Sequence, residues 1–403
     1  MIVTDSASVD EILAAISIII ILGYVGEAIF RATRIPEILI LMAIGILIGP
    51  VGNLLPSTYI DTFRTLSPIF SSIALIMIMY NSGVSIKLFE KESKGYSGML
   101  IALLDIILAG ISLAVFMNYF FNWPYADGAL LGVILGETSS VIIMPIVRKL
   151  KTPKDFYNTV LMETTFNSVF AILAFYLILV FINGSNFSTY SYLQYLVDYM
   201  SVPLLIGLIT GLGWIILRNL IKVASTYVAS LAIAILLYGL VDFLGGSAVV
   251  AVLIFALIIG NDKEFSWLMR IKNLASNKKS RVVEKEFEFL VRTFFFVLIG
   301  IIAIISLNYL IIAIAAVVIL VVLRYAEINA VLFRMSSTYR NLALSLFPKG
   351  LGVAVLSTIL YATNMPYSAQ IFEIGFMTII VSNIAAAVIV RISSKHISMT
   401  STA

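Results

Sequence analysis

The sequence predicts an all-α polytopic membrane protein, and three features of its composition support that class. Of the 403 residues, 61% are apolar and 12% are charged, whereas a soluble domain carries about 25% charged residues. Apolar windows of about 20 residues, the length at which a helix crosses a bilayer, recur along the chain. There is no Cys and a single His, His396, which excludes disulfides and thiol nucleophiles and argues against zinc sites and Ser-His-Asp catalysis.

Thirteen windows are predicted to be transmembrane helices. They cover residues 11–30, 36–55, 60–84, 97–121, 128–148, 158–182, 195–220, 225–244, 246–262, 287–306, 308–330, 341–362 and 368–392. This count fits one transmembrane domain over 1–403, made of two six-helix repeats at 10–182 and 225–395 and a linking helix at 195–220. Because the linking helix crosses once, the second repeat is inverted relative to the first, as in many secondary transporters.

The basic residues predict how the chain is oriented in a cell membrane. With the N-terminus outside and the C-terminus in the cytoplasm, all but three of the 26 Lys and Arg residues fall in inward loops, and Arg324 is counted among these loop residues. Retention of positive charge on the cytoplasmic side is the usual pattern of multi-pass proteins. The exceptions are Arg64, Arg292 and Lys349. The polar stretch 261–286 is predicted to be an inner loop. The alternative is that it binds anionic lipid headgroups.

Ionisable side chains inside the predicted spans are candidate functional residues, because placing one in hydrocarbon costs about 2.5–3.5 kcal/mol on insertion scales. The clear candidates are Asp105, Glu137, Glu163, Arg292 and Lys349. Acidic residues nearer span ends are expected to be interfacial carboxylates that reach water: Glu27, Glu37, Asp127, Asp242, Glu327 and Glu373. For Asp105, a structural contact between helices is an equal alternative.

The fifth and twelfth predicted spans carry similar interruptions. One is Gly-Glu-Thr-Ser-Ser at 136–140 and the other is Pro-Lys-Gly-Leu-Gly at 348–352. Paired interruptions at equivalent places in inverted repeats point to a binding site at the membrane midplane. We expect both helices to be broken and to cross, near Thr138 and Gly350. Charges of opposite sign, on Glu137 and its counterpart Lys349, are then expected beside the exposed helix ends.

Polar side chains are concentrated in the fifth and sixth spans. They are Glu137, Thr138, Ser139 and Ser140 in the fifth, and Glu163, Thr164, Thr165, Asn167 and Ser168 in the sixth. A short turn joins the two spans, so they are antiparallel neighbours with polar groups at similar depth, and Glu163 and Asn167 share a helix face and can hydrogen-bond. Carboxylate, hydroxyl, amide and carbonyl oxygens are ligands for Na⁺, K⁺ or Li⁺. Close packing through small residues is the alternative, but it does not explain two carboxylates.

Five stretches together resemble the monovalent cation:proton antiporter family, in its archaeal Na⁺/H⁺ exchanger (NhaP-like) branch. They are RIPEILILMAIGILIGP at 34–50, GETSSVIIMPIVRK at 136–149, ETTFNS at 163–168, FLVRTFFFVLIG at 289–300 and KGLGVAVLS at 349–357. The resemblance runs from about residue 10 to 395. It implies a thirteen-helix homodimer with an interface domain and a mobile core domain that shifts in an elevator-like movement. No cofactor and no nucleic-acid partner are expected.

The resemblance also assigns roles, with three departures from the family pattern. Glu163 matches the Glu that partners the sixth-helix Asn beside the ion, and Arg292 matches the basic residue of the helix with the Phe-Phe run. Three positions that are acidic in relatives are neutral here: Ser168 after Asn167, Ser139 after Thr138, and Asn81 before Ser82-Gly83. Glu137 has no counterpart in the family pattern.

We therefore expect Glu163, helped by Glu137, to carry the proton in place of the missing Asp. Exchange needs a titratable group whose charged form binds the cation and whose neutral form is acceptable in apolar surroundings, and Ser or Asn cannot titrate. The carbonyl of Thr138 and the hydroxyls of Thr164 and Ser168 complete the candidate site. Direct cation ligands are expected from Glu163, Thr138 and Ser168, with Na⁺ as the first candidate and K⁺ or Li⁺ as alternatives.

Exchange of a monovalent cation for H⁺ is the leading functional hypothesis. The alternative is a transporter-like protein with lost or altered exchange, such as a uniporter, a sensor or a degenerate member, because the usual Asp residues are replaced by Ser168 and Ser139. An intramembrane enzyme is disfavoured, since the chain has no His-Glu-x-x-His, Gly-x-Ser-Gly or Gly-x-Gly-Asp motif.

Arg292 needs an anionic partner, because a guanidinium buried in a membrane protein stays charged. Glu163 and Glu137 are the expected partners, and Asp105 is a weaker candidate.

Overall fold

The structure is a computed structural model that describes residues 17–18, 20–26, 28–29, 36–88, 96–150, 152–183, 189–221, 226–268 and 280–400. Nearly half of the first predicted span, including Glu27, lies outside the described residues. The described part of the chain is helical and contains no strand. Its helices are α1 Glu37–Ile48, α2 Ser57–Ser85, α3 Tyr96–Phe121, α4 Tyr125–Gly136, α5 Ser140–Lys149, α6 Lys154–Asn183, α7 Thr189–Ile221, α8 Thr226–Phe243, α9 Ala248–Gly260, α10 Asp262–Leu268, α11 Ser280–Ile302, α12 Leu307–Val331, α13 Ser337–Ser345, α14 Leu351–Ala362 and α15 Ser368–Thr400.

Seven segments of the described chain are long and apolar enough to cross a membrane. They are Tyr59–Ser85, Tyr96–Phe121, Tyr125–Lys149, Lys154–Ile182, Val197–Arg218, Leu307–Val331 and Ser368–Ile389. Each coincides with a predicted window, and shorter apolar helices, such as α1, α9 and α14, lie at others. The prediction of an all-α membrane protein is confirmed, and the count of thirteen spans stays a prediction.

Helix α3 shows why the composition is so apolar. Ile107, Ile111 and Val115 are 46%, 58% and 55% exposed along one side of the helix, while Ala109 and Leu113 on the opposite side are buried. A helix that is apolar on both its packed and its exposed sides matches a hydrocarbon environment rather than water. The exposed side chains of α3 therefore form a lipid-facing surface.

Two interrupted helices meet inside the bundle, as the sequence predicts. Between α4 and α5, residues 137–139 are non-helical, and a longer non-helical stretch at 346–350 separates α13 from α14. The backbone N–H of Ser139 donates to the carbonyl of Pro348 at 3.0 Å. Gly350 lies so close to the Ser139 side chain that a Cβ at Gly350 would overlap it. Non-helical backbone inside a membrane is stable only where other protein groups hydrogen-bond to its N–H and C=O groups. Here the two breaks supply part of these hydrogen bonds to each other.

Close helix packing holds α3, α4 and α6 around the first break. A Cβ at Gly132 of α4 would overlap the backbone of Ala109 in α3, and one at Gly98 of α3 would overlap the backbone of Thr159 in α6. Small residues let helices approach closely in membranes, where packing rather than hydrophobic burial drives association. This contact brings the polar residues of α3 and α6 next to the break after α4.

Candidate ion-binding site

Arg324 and Glu163 form the centre of the polar cluster. Glu163 is 1% exposed and Arg324 2% exposed, and Nη2 of Arg324 lies 2.6 Å from Oε1 of Glu163. Nη1 of Arg324 donates to Oδ2 of Asp105 at 3.2 Å, while its Nε and Nη2 donate to the carbonyl of Ala343 at 3.2 and 3.1 Å. One guanidinium thus joins α3, α6, α12 and the end of α13.

The expectation that Arg324 lies in an inward loop is wrong. It sits within α12, seven residues before that helix ends at Val331, and it is fully enclosed by protein. Charge counting assigned Arg324 to a loop because it was grouped with the basic residues that follow, although the predicted window 308–330 contains it. A signal was available, since Arg324 and Glu327 are three residues apart in a mostly apolar helix and share a face.

Three acidic residues expected at the water interface are buried instead. Glu327 is 2% exposed, Glu373 4% and Asp127 8%. Glu373 has a partner that explains its burial, because its Oε2 accepts a hydrogen bond from the backbone N–H of Ile304 at 2.9 Å. Asp242, by contrast, is exposed as expected.

Asn167 connects the break after α4 to the carboxylates. Its Oδ1 accepts from the N–H of Thr138 at 2.7 Å, and its Nδ2 donates to the carbonyl of Gly136 and to Oδ2 of Asp105, each at 3.4 Å. The expected hydrogen bond between Asn167 and Glu163 is not formed, because the amide is engaged with the broken backbone. Asn167 therefore satisfies groups that the interruption leaves without helical partners.

Glu137 lies against the start of α14. Its Oε1 accepts a hydrogen bond from the Ser168 hydroxyl at 2.9 Å, and its carboxyl group also contacts the backbone N–H of Val353. Gly352 makes room for this contact, since a Cβ there would overlap the Glu137 carboxyl group. A carboxylate at a helix N-terminus is stabilised by the partial positive charge of the unpaired N–H groups.

Lys349 makes the reciprocal contact at the end of α4. Its buried Nζ donates to the carbonyl of Gly136 at 3.1 Å, which places a cation at the partially negative C-terminus of that helix. Two residues of α15 hold the Lys349 backbone in place: the Ser382 hydroxyl accepts from its N–H at 3.1 Å, and Asn383 donates to its carbonyl at 2.7 Å. Sequence reasoning did not single out Ser382 or Asn383.

The remaining predicted site residues differ in how they relate to this cluster. The hydroxyls of Thr138 and Ser139 are buried and make no hydrogen bond, so both are available to a ligand. The Thr164 hydroxyl donates to the carbonyl of Val160 at 3.0 Å in its own helix. Asn81 lies in α2 with a buried Oδ1 that makes no hydrogen bond, and no described contact joins it to the cluster.

Arg292 does not pair with Glu163, Glu137 or Asp105, so that expectation is wrong. Its Nη2 lies 3.2 Å from Oε2 of Glu37. The physical reason is helix packing, because α11 packs against α1 and carries Arg292 to the start of that helix. Arg324 occupies the place beside Glu163 that was assigned to Arg292.

Acidic groups outnumber basic groups in this cluster. It contains four carboxyl groups, from Asp105, Glu137, Glu163 and Glu327, and two basic groups, from Arg324 and Lys349. If all six were ionised, two negative charges would be unmatched in a buried site, which is costly without protons or a bound cation. Among the residues that the structure describes, no group of three or more His, Cys, Asp or Glu is arranged to hold a metal ion.

Several curated proteins are similar to parts of this chain. The K⁺/H⁺ antiporter NhaP2 of Shewanella oneidensis is 24% identical over 233 residues, which are 56% of this chain and 40% of that protein. The Na⁺/H⁺ antiporter ApNhaP of Aphanothece halophytica is 24% identical over 283 residues, covering 66% of this chain and 50% of that protein. Sodium/hydrogen exchanger 8 of Arabidopsis thaliana is 23% identical over 52% of this chain and 29% of its own length. The matched regions thus span half or less of each relative.

A solved structure shares the fold over nearly the whole chain. The sodium proton antiporter MjNhaP1 from Methanocaldococcus jannaschii superposes with a TM-score of 0.73 at 20% sequence identity, covering 96% of this chain and 98% of the other. The family model described as sodium/hydrogen exchanger, transmembrane, matches residues 16–396. The protein is therefore a multi-pass membrane protein that belongs to the sodium/hydrogen exchanger family, a family of transporters rather than enzymes.

Proposed function

We propose that the protein exchanges a monovalent cation for H⁺ across a cell membrane. The observation that carries this proposal is the excess of acidic over basic side chains in the buried cluster around Glu163 and Arg324. A site with two unmatched negative charges can be occupied either by protons or by a cation, and competition between these two occupants is the basis of exchange. The names of the curated relatives, which are Na⁺/H⁺ and K⁺/H⁺ antiporters, support the same reading.

The proposed cation site lies at the first break, between Glu163 and Glu137. Both oxygens of Glu163 are buried, and apart from the contact of Oε1 with Arg324 at 2.6 Å they have no hydrogen-bond donor. The hydroxyl of Ser168, the carbonyl of Thr138 and the free hydroxyl of Ser139 add neutral oxygens at the same place. A mixed set of carboxylate, hydroxyl and carbonyl ligands suits a monovalent cation that leaves its hydration shell.

Proton and cation binding compete at the carboxylates in the proposed cycle. In its charged form Glu163 binds the cation, and in its protonated form it is neutral and releases it. Without a cation, Arg324 compensates the charge of Glu163, as the 2.6 Å contact supports. Relatives carry a carboxylate at the position of Ser168. In the proposed cycle, Glu137 supplies this carboxylate instead, and it accepts a hydrogen bond from the Ser168 hydroxyl.

The wider architecture of the proposal follows the family resemblance. We propose the two repeats at 10–182 and 225–395, the linking helix at 195–220, a homodimer, an N-terminus outside and a C-terminus in the cytoplasm. The two broken helices would move with the ion as part of a core domain in an elevator-like shift. The hydrogen bond between Ser139 and Pro348 supports this, because it ties the two breaks into one unit. We propose Na⁺ as the first candidate ion, with K⁺ as the second.

The test is cation-driven pH change in proteoliposomes under Na⁺, K⁺ and Li⁺ gradients. The wild type should exchange at least one of these ions, and Glu163→Gln should abolish exchange because its neutral amide cannot titrate. Ser168→Asp adds a carboxylate beside Glu137 and should lower the apparent KM for the cation. Asp61→Asn removes an exposed carboxylate and serves as the control that keeps wild-type exchange. Undiminished exchange in both Glu163→Gln and Glu137→Gln, or a wild type that is silent under every gradient, would contradict the proposal.

A further inference from the structure

Glu327 is a buried acid that adds to the negative charge of the cluster but is not among the proposed cation ligands. It lies on α12 one turn beyond Arg324, nearer the end of the helix at Val331, and it is 2% exposed. Neither of its carboxyl oxygens accepts a hydrogen bond from an N–H or O–H donor. An ionised carboxylate enclosed in this way, without a donor, would be strongly unfavourable.

The neighbour of Glu327 is a second carboxyl group. The carboxyl group of Asp105 lies within hydrogen-bonding reach of the Glu327 carboxyl group, and Oδ2 of Asp105 accepts from Arg324 at 3.2 Å. Two ionised carboxylates have no proton to donate to each other, and they repel when they lie within hydrogen-bonding reach. A hydrogen bond between them therefore requires that one of the two is protonated.

The charged groups around this pair do not remove that requirement. Arg324 on the same helix is shared between Asp105 and Glu163 of α6, so one cation faces three carboxyl groups. Lys349, between α13 and α14, is the other nearby cation, and its Nζ is bonded to the carbonyl of Gly136. A proton on the pair is the simplest way to balance the local charge.

We propose that Asp105 and Glu327 hold one proton between them and form a second proton-binding site, separate from the cation ligands at the first break. Its ligand is H⁺ alone, because the two carboxyl groups contact each other, Arg324 and the amide of Asn167, rather than the unbonded hydroxyls of the cation site. Glu327 lies between the cluster and the end of α12, so this pair is placed to pass protons between water at that end and the cluster around Arg324.

The proton step at the pair is a simple transfer between carboxyl oxygens. The shared proton starts as an O–H bond on the Glu327 carboxyl group, and once the pair has passed this proton on to the cluster, a hydronium ion at the end of α12 replaces it and leaves water. The O–H bond on Glu327 breaks as the proton moves to Asp105, whose new O–H bond weakens its ion pair with Arg324. Arg324 is then more fully available to Glu163, which favours release of the cation. This transport consequence rests on the proposed function, whereas the shared proton itself does not.

The experiment is infrared spectroscopy of the purified full chain at neutral pH, which detects the carbonyl stretch of protonated carboxyl groups. Glu327→Gln should remove intensity equal to one carboxyl group relative to wild type. Asp105→Asn should keep that intensity but change its frequency, because the protonated Glu327 loses its carboxylate partner. Asp61→Asn, at an exposed carboxylate, should leave the spectrum unchanged. Thermal unfolding of each variant establishes that it is folded.

Either of two results would overturn the shared proton. One is a folded Glu327→Gln variant with wild-type carboxyl intensity, and the other is an Asp105→Asn spectrum identical to that of wild type, which can be tested even if Glu327→Gln does not fold. In proteoliposomes, Glu327→Gln should shift the pH dependence of exchange, and an unchanged profile would reject the relay role. A wild type that exchanges no cation while the infrared results hold would reject the proposed function and leave the proton pair in place.

Discussion

Arg324 is the residue on which the charge balance of the cluster depends. It is fully buried and joins Asp105, Glu163 and the Ala343 carbonyl, so removing it leaves two carboxylates without a cation. Breaking a buried ion pair by removing one partner costs about 3–5 kcal/mol. We expect Arg324→Ala to unfold at a markedly lower temperature in detergent. Arg324→Lys should recover only part of the loss, because an ammonium cannot reproduce the fork of guanidinium donors.

The control for Arg324 is Arg64, which pairs with Asp61 at 3.4 Å near the surface. Exposed ion pairs contribute about 0–1 kcal/mol, so Arg64→Ala should leave the unfolding temperature nearly unchanged. Equal unfolding temperatures for wild type and Arg324→Ala would show that the guanidinium does not stabilise the fold.

Arg292 and Glu37 should be coupled energetically. Their side chains are 14% and 13% exposed and lie 3.2 Å apart, so each variant alone should destabilise the protein and the double variant should cost less than the sum. We expect a coupling energy of about 1 kcal/mol, within the range for contacting charged residues. A double-mutant cycle with Arg292→Ala and Glu37→Gln, followed by thermal unfolding, measures it. Strict additivity would mean that the contact contributes nothing.

At the residue scale, sequence reasoning found the ionisable positions but not their partners. Glu137, Glu163 and Lys349 were recognised because a charge within an apolar span requires a reason. Partner choice depends on which helices touch, and neither spacing nor composition contains that information. For this reason Arg292 was assigned to Glu163, while Arg324, which makes that contact, was placed in a loop.

At the scale of elements, the two half-helices α4 and α14 depend on each other's charged residues. Glu137 follows α4 and lies at the start of α14, while Lys349 precedes α14 and lies at the end of α4. These reciprocal contacts require a glycine at 352, since a Cβ there would overlap the Glu137 carboxyl group. We expect Gly352→Ala to destabilise the protein by about 1–3 kcal/mol, the usual cost of overpacking, and to raise the apparent KM for the cation.

The matched control for Gly352 is Gly239 in α8, where a Cβ would meet no atom within 4 Å. Gly239→Ala should be neutral or slightly stabilising, because Ala is favoured over Gly in a helix interior by about 0.5–1 kcal/mol. Thermal unfolding and transport assays on both variants check this pair. If Gly352→Ala behaved like Gly239→Ala, the close contact with Glu137 would not be needed.

The breaks themselves could be predicted, for a physical reason. Gly, Pro and a run of polar residues in the middle of an apolar span remove helix stability at that point, as at 136–140 and 348–352. The hydrogen bond from Ser139 to Pro348 could not be predicted in detail, because it depends on how two distant segments pack. Support from Ser382 and Asn383 was missed for the same reason.

At the scale of the whole molecule, the apolar composition predicts a membrane protein, and the exposed surface of the helices is apolar as well. Long apolar helices such as α3 and α12 expose Ile and Val on one side, which suits lipid, and polar groups are gathered inside the bundle around Arg324. This arrangement reverses the usual distribution of a soluble protein. The number of spans is harder to obtain, since helices as short as α1 and α14 fall below the length of about 20 residues at which a helix crosses a bilayer.

The orientation of the chain in the membrane can be tested by cysteine labelling, because the sequence contains no Cys of its own. Tyr125, at the start of α4, is 62% exposed, and Lys149, at the end of α5, is also exposed; together they bound the crossing segment Tyr125–Lys149. With the basic residues retained inside, Tyr125→Cys should react with a membrane-impermeant thiol reagent in intact cells. Lys149→Cys should react only after the membrane is permeabilised. Reaction of both in intact cells would mean that this segment does not cross the membrane, and the reverse pattern would place the N-terminus inside.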